Sequence, residues 1–153
     1  MHLIHYALQV VLREGTGKSA YKRLPQDLVL GGKTGTTNDQ RDSWFAGFSG
    51  NYLSVVWMGK DDNGKTPLTG GTGALQLWTD IMSDLDNRSL AFNKPEGVSY
   101  HWVNTDSGLL SREGCQGARY LPFVDGSEPV AFDGCAPATL DNVVDWLKSK
   151  LRW

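Results

Sequence analysis

With 153 residues, 40% of them hydrophobic and 21% charged, the chain has an ordinary globular composition, with room for one domain with a real core or a moderate domain plus a small appendage. A formal net charge of -2 argues against nucleic acid as a partner, because phosphate recognition needs a basic face. No apolar run approaches the roughly 18–20 residues that span a bilayer. The first twelve residues carry His2, His5 and Gln9 and lack a basic n-region, so they do not read as a signal peptide. A protein working outside the cytoplasm would need its targeting segment elsewhere.

Ile4, Ala7, Leu8, Val11 and Leu12 recur at helical spacing and predict a helix over 3–14, ended by Gly15-Thr16-Gly17. Residues 18–27 read as a polar loop. Strands are expected over 28–36, 43–48 and 52–58, the last two joined by the tight turn Ser49-Gly50-Asn51 as an antiparallel hairpin. Residues 61–71 read as a turn-rich loop. Thr72 is expected to cap a second helix with the stripe Ala74, Leu77, Trp78, Ile81, Met82 and Leu85.

After about Leu90 the composition turns rich in Gly, Pro, Ser and Asp. Short β-prone pieces over 99–103, 108–110 and 119–123 suggest a small irregular β unit, and Leu140, Val143, Val144, Leu147 and Leu151 predict a helix over 139–152. The expected division is 1–92 and 93–153. Cys115 and Cys135 lie in Gly-rich surroundings with no C-x-x-C and no nearby His, which speaks against a metal site. They read as a disulfide rather than two free thiols. Such a bridge closes a loop of about 20 residues, is worth roughly 3 kcal/mol in the loop-entropy account, and implies an oxidising compartment.

Trp44, Trp57 and Trp78 fall in the apolar pattern and are expected in the core. Trp102 reads as small-core packing, with stacking on a glycan sugar as the alternative. Trp146 and Trp153 share a second face of the last helix, which could dock onto the body of the chain or onto another protein. His2, His5 and His101 show no ligand spacing, and Asp61-Asp62-Asn63 lacks the later positions of a calcium loop. No metal or cofactor is expected.

The chemistry concentrates in Lys33-Thr34-Gly35-Thr36. On a strand edge, Lys33 offers a cation for a carboxylate, Thr34 and Thr36 offer hydroxyls, and Gly35 lets a substrate backbone approach and pair as an added strand. The Thr36 backbone N–H can serve an oxyanion hole. A phosphate loop is the competing reading of Gly32-Lys33-Thr34, but Asp27 stands where the first glycine must be, and Leu12 does so for Gly17-Lys18-Ser19.

K-T-G is one of three signatures of penicillin-binding and β-lactamase chemistry, with S-x-x-K and S-D-N. The segments Tyr6 to Gly17, Gly31 to Asn38, Asp42 to Phe48, Val56 to Asp61 and Gly70 to Ala74, in that order, resemble the transpeptidase domain of class A penicillin-binding proteins, nearest the bifunctional type 1B enzymes. The resemblance covers most of 4–90 and is loose beyond 95. It implies an α+β fold: an antiparallel sheet with flanking helices, then a β-rich extension with a terminal helix. It also implies a periplasmic serine D-alanyl-D-alanine transpeptidase that cross-links peptidoglycan stem peptides, binds β-lactams through an acyl-enzyme, and is anchored in the inner membrane by another segment. Lys33, Thr34, Gly35 and Thr36 would hold the stem peptide or β-lactam, with the Thr36 N–H in the oxyanion hole.

In that family the nucleophile lies far upstream of K-T-G. Ser19-Ala20-Tyr21-Lys22 and Ser49-Gly50-Asn51 match the other two signatures only in letters. Ser19 follows a helix end instead of starting a helix, and Ser49 sits in a hairpin turn. The chain is therefore expected to be the substrate-binding part of the domain, partnered by the preceding part and inactive alone. The alternative is a non-catalytic module formed by the extension, binding the cell wall or a cell-wall protein.

Overall fold

The structure is a computed structural model that describes residues 1–135. It forms two compact units, Met1–Asn93 and Lys94–Trp153, and its fold class is α+β. The expected terminal helix, with Trp146 and Trp153, lies outside the described residues.

In the first unit, helix α1 (His2–Arg13) leads through a 3-10 turn (Lys18–Lys22) to strands β1 (Gly31–Thr36), β2 (Asp42–Phe48) and β3 (Leu53–Gly59), followed by helix α2 (Ala74–Ser83). The sheet is antiparallel in the order β1-β2-β3, with Lys33 opposite Ala46 and Trp44 opposite Trp57. Leu12, Tyr21, Leu24, Leu30, Phe45, Val56, Leu75, Trp78 and Met82 form the core.

The loop expected over 18–27 contributes to that core, because its 3-10 turn points Ala20 and Tyr21 inward. The first strand starts at Gly31, later than its apolar run suggests. The backbone before it is spoken for: Leu28 O accepts from Tyr21 OH at 2.8 Å and from Arg13 Nη2 at 3.1 Å, and Val29 N–H donates to Ser89 Oγ. Those groups are not free to join a ladder.

Two expectations about packing are corrected. Trp44 and Trp57 are 43% and 44% exposed, whereas Trp78 is fully buried. Alternation along a strand sends Phe45 and Val56 toward α2 and their neighbours to the other face. On that face Trp44 and Trp57 form a cross-strand pair with ring centroids 6.3 Å apart, beside exposed Leu53 and Val55. The helix stripe is also rotated. Ala74, Leu75, Trp78, Thr79 and Met82 are buried, while Leu77, Ile81 and Leu85 are exposed. Thr79 is tolerated inside because its hydroxyl donates to Leu75 O at 2.7 Å.

Nor does Thr72 cap α2. Its hydroxyl accepts from Thr69 N–H at 2.9 Å. The cap comes from the sheet: buried Ser43 Oγ accepts from Ala74 N–H at 2.8 Å and donates to Thr69 O at 2.7 Å. Ser43→Ala orphans the Ala74 N–H, while Thr69 O keeps the Gly73 N–H at 2.8 Å, and lowers stability by about 1–3 kcal/mol, read as a fall in denaturant midpoint at constant m-value.

In the second unit, β4 (Val98–Asn104) and β5 (Ala118–Val124) form an antiparallel hairpin with Trp102 opposite Tyr120. Leu110 bridges to Val103 and to Phe132. Trp102 is half-buried and packs on Tyr120 at 5.2 Å between ring centroids. Cys115 and Cys135 form a disulfide.

Candidate functional site: the free edge of the first strand

Among the described residues β1 pairs only with β2, which leaves its other edge open there. Thr37 N–H donates to Asp42 O at 3.1 Å just past the strand. In an antiparallel ladder, bonded and non-bonded pairs alternate. Lys33 and Gly35 are therefore the residues bonded to β2, and the backbone groups of Thr34 and Thr36 are directed to the open edge.

The side chains divide between the faces in the same rhythm. Lys33 shares a face with Ala46 and Val55, and Gly35 leaves that face bare beside Trp44. Lys33 is exposed, and its Nζ donates to Thr34 O at 2.8 Å. Among the described residues it takes part in no ion pair; those are Arg23–Asp80, Arg41–Asp39 and Lys65–Asp39. Thr34 and Thr36 point to the opposite face. Thr36 Oγ1 accepts from Gly70 N–H at 2.9 Å, and Thr34 Oγ1 lies 2.9 Å from Thr16 Oγ1.

The loop over 69–73 holds this strand from behind. Gly70 lies so close that a Cβ there would stand 2.7 Å from Gly35 O and 2.8 Å from Trp44 O. Both are backbone atoms and cannot move aside. Past the strand, the chain turns through Asp39 and Gln40 at φ 60° and 55°, left-handed values that cost non-glycine residues strain. The turn is fastened by Lys65 Nζ to Asp39 Oδ1 at 3.1 Å and by Thr66 N–H to Gln40 O at 3.0 Å. The result is a rigid edge with a cation, a hydroxyl and outward N–H groups, suited to an extended chain that ends in a carboxylate.

The two letter-matches lie elsewhere. Ser49 Oγ donates to Asn51 Oδ1 at 3.0 Å and accepts from Tyr52 N–H at 3.1 Å, within the turn after β2. Phe48 pairs with Gly31 and Ser43 with Thr36, so that turn sits at the far end of the strand, roughly 17 Å away at the rise of an extended chain. Ser19 lies in the 3-10 turn and accepts from Gln76 Nε2 at 3.2 Å. With Arg13, Lys18, Tyr21, Lys22 and Gln26 it lines a cavity of about 340 Å³. Burial pushes the Tyr21 phenol above its ordinary pKa, offset in part by the Arg13 guanidinium 4.2 Å over its ring. Among the described residues no group of three or more His, Cys, Asp or Glu could hold a metal ion.

Thr16 and Ser43 are the residues that sequence reasoning missed. The Gly15-Thr16-Gly17 return was legible as a helix end, but nothing local placed Thr16 beside Thr34.

No protein-family model matches the chain. It is 44% identical over 99 residues, 65% of its length, to penicillin-binding protein 1B of Haemophilus influenzae. It is 33% identical over 152 residues, 99% of its length, to penicillin-binding protein 1B of Vibrio cholerae. Its fold matches 86% of the chain to a crystal structure of penicillin-binding protein 1A from Haemophilus influenzae, with a TM-score of 0.74 and 28% identity. The chain spans 12% and 19% of the two sequence relatives and 21% of the solved chain.

Proposed function

This chain belongs to the class A penicillin-binding proteins as part of their transpeptidase domain, and on that footing we propose that the open edge of β1 is the substrate wall of a serine D-alanyl-D-alanine transpeptidase. The observation that carries the reading is the K-T-G-T segment on an unpaired strand edge, with a lysine that no carboxylate occupies among the described residues. A peptidoglycan stem peptide, or a β-lactam in its place, lies along this edge. Its carboxylate meets Lys33 Nζ and Thr34 Oγ1, and its scissile carbonyl oxygen meets the Thr36 N–H, which stabilises the charge developing on that oxygen.

The acylating serine comes from the preceding part of the domain. That part also covers the apolar face carrying Trp44, Leu53, Val55 and Trp57, and extends the sheet at β3. Among the described residues no helix is long and apolar enough to cross a membrane. The reading places the work in the periplasm, at the outer side of the inner membrane, in peptidoglycan synthesis.

The test is intact-mass spectrometry after incubation with a labelled penicillin. The complete gene product gains one adduct per chain, and residues 1–153 alone gain none. A stoichiometric adduct on any serine of the isolated chain overturns the assignment of the nucleophile to the preceding part.

A further inference from the structure

The contact between Thr16 and Thr34 has no role in the proposal above. Thr16 follows α1 in a tight return. Gly17 N–H donates to Val11 O at 3.0 Å, and a Cβ on Gly17 would stand 2.8 Å from Leu12 Cδ2. Leu12 is fully buried, so the return is pressed onto a fixed surface. From the other side, Gly71 approaches Thr16 O closely enough that a Cβ there would lie at 3.4 Å. Thr16 is held at its backbone while its side chain stays exposed. Its hydroxyl oxygen lies 2.9 Å from that of Thr34, 18 residues away on β1.

A threonine hydroxyl has one proton and two lone pairs, and its proton rotates to suit its surroundings. The pair therefore has two arrangements. If Thr34 donates to Thr16, the Thr34 lone pairs face the open edge and repel an anion there. If Thr16 donates to Thr34, the Thr34 proton is turned outward and its donor strength is raised by the bond it accepts. A carboxylate only accepts, so it selects the second arrangement. Thr36 is set the same way by the backbone instead: its hydroxyl accepts from Gly70 N–H and so keeps its own proton free.

We propose that Thr16 is a positioning residue for carboxylate recognition: its hydroxyl donates to Thr34 Oγ1 and presents the Thr34 proton to the terminal carboxylate of the ligand. This rests on the reading of the β1 edge as the substrate wall. It predicts selectivity for ligands with a free carboxylate over neutral esters or amides of the same shape.

The experiment uses the complete gene product and two probes, a penicillin and its methyl ester at the ring carboxyl group. Thr16→Val keeps the shape and removes the hydroxyl. It is expected to lower the second-order acylation rate with the acid by about five- to tenfold, the size of one ordinary hydrogen bond between neutral groups, and with the ester by less than about twofold. Thr16→Ser is expected to restore the acid rate. An equal loss for both probes, or none with the acid, overturns the role of Thr16. The acid-to-ester ratio is read within one variant, so partial misfolding does not mimic the effect. Lys33→Ala is run in parallel. A collapsed ratio there with an unchanged ratio in Thr16→Val removes Thr16 alone; an unchanged ratio in Lys33→Ala removes the substrate-wall reading itself.

Discussion

Replacing Lys33 by alanine in the complete gene product is expected to lower acylation by a carboxylate-bearing β-lactam by about two to three orders of magnitude. The effect is large because Lys33 is the full positive charge on the β1 edge, on the face shared with Ala46 and Val55. Among the described residues it has no carboxylate of its own to lose. When a ligand covers the edge and water leaves, the carboxylate must be paired or its burial is strongly unfavourable. Lys33→Arg keeps the charge but changes its reach and geometry, so it recovers only part of the rate. Stopped-flow acylation with a chromogenic β-lactam measures both. A rate within a factor of about two of the parent for Lys33→Ala would sink the assignment of the carboxylate to this edge.

Trp78→Ala should be the most damaging single truncation in the first unit. The indole is fully buried, and its ring lies 4.8 Å from that of Phe45. It also fills the space over Gly47, where a Cβ would stand 2.5 Å from its Cζ2. Removing it costs about 3–5 kcal/mol, a large share of the 5–15 kcal/mol that holds a typical domain together. Thermal unfolding followed by circular dichroism should show a drop of roughly 15–30 °C for a unit of this size. Trp78→Phe should cost a fraction of that. The indole Nε1 is buried without an acceptor among the described residues, so phenylalanine gives up no hydrogen bond and retains most of the packing. A melting point for Trp78→Ala within a few degrees of the parent would show that α2 does not anchor the sheet in this way.

Much of this fold could be read from the sequence, for a local reason. The helical spacing from Ile4 to Leu12, the β-branched and aromatic run ending at Met58 and the turn at Ser49-Gly50-Asn51 each state their own backbone preference. Helix α1 and strands β2 and β3 fall within two residues of those expectations. The cysteine spacing likewise anticipated the bridge between Cys115 and Cys135. The misreadings are of another kind. Trp44 and Trp57 look like core residues because strand periodicity says which residues share a face, not whether that face is covered. The stripe of α2 was too wide for one contact, and the sheet took the Leu75 and Thr79 side. Thr72 had the right chemistry for a cap, but Ser43, 31 residues from Ala74, was already in place.

The candidate site divides along the same line. Lys33-Thr34-Gly35-Thr36 was evident as a motif on a strand, and alternation alone put Lys33 and Thr36 on opposite faces. The sequence by itself determined the kinds of elements, their order, the resemblance carried by their motifs and the pair of cysteines. These depend on neighbouring residues and on how the chain recognises its own periodicity. Only the tertiary structure decided that β1 keeps an open edge, that Gly70 backs it and that Thr16 meets Thr34 across 18 residues. Those facts come from close packing, in which segments distant along the chain must fit each other's backbone to within a few tenths of an ångström. Nothing in either segment read alone specifies that fit.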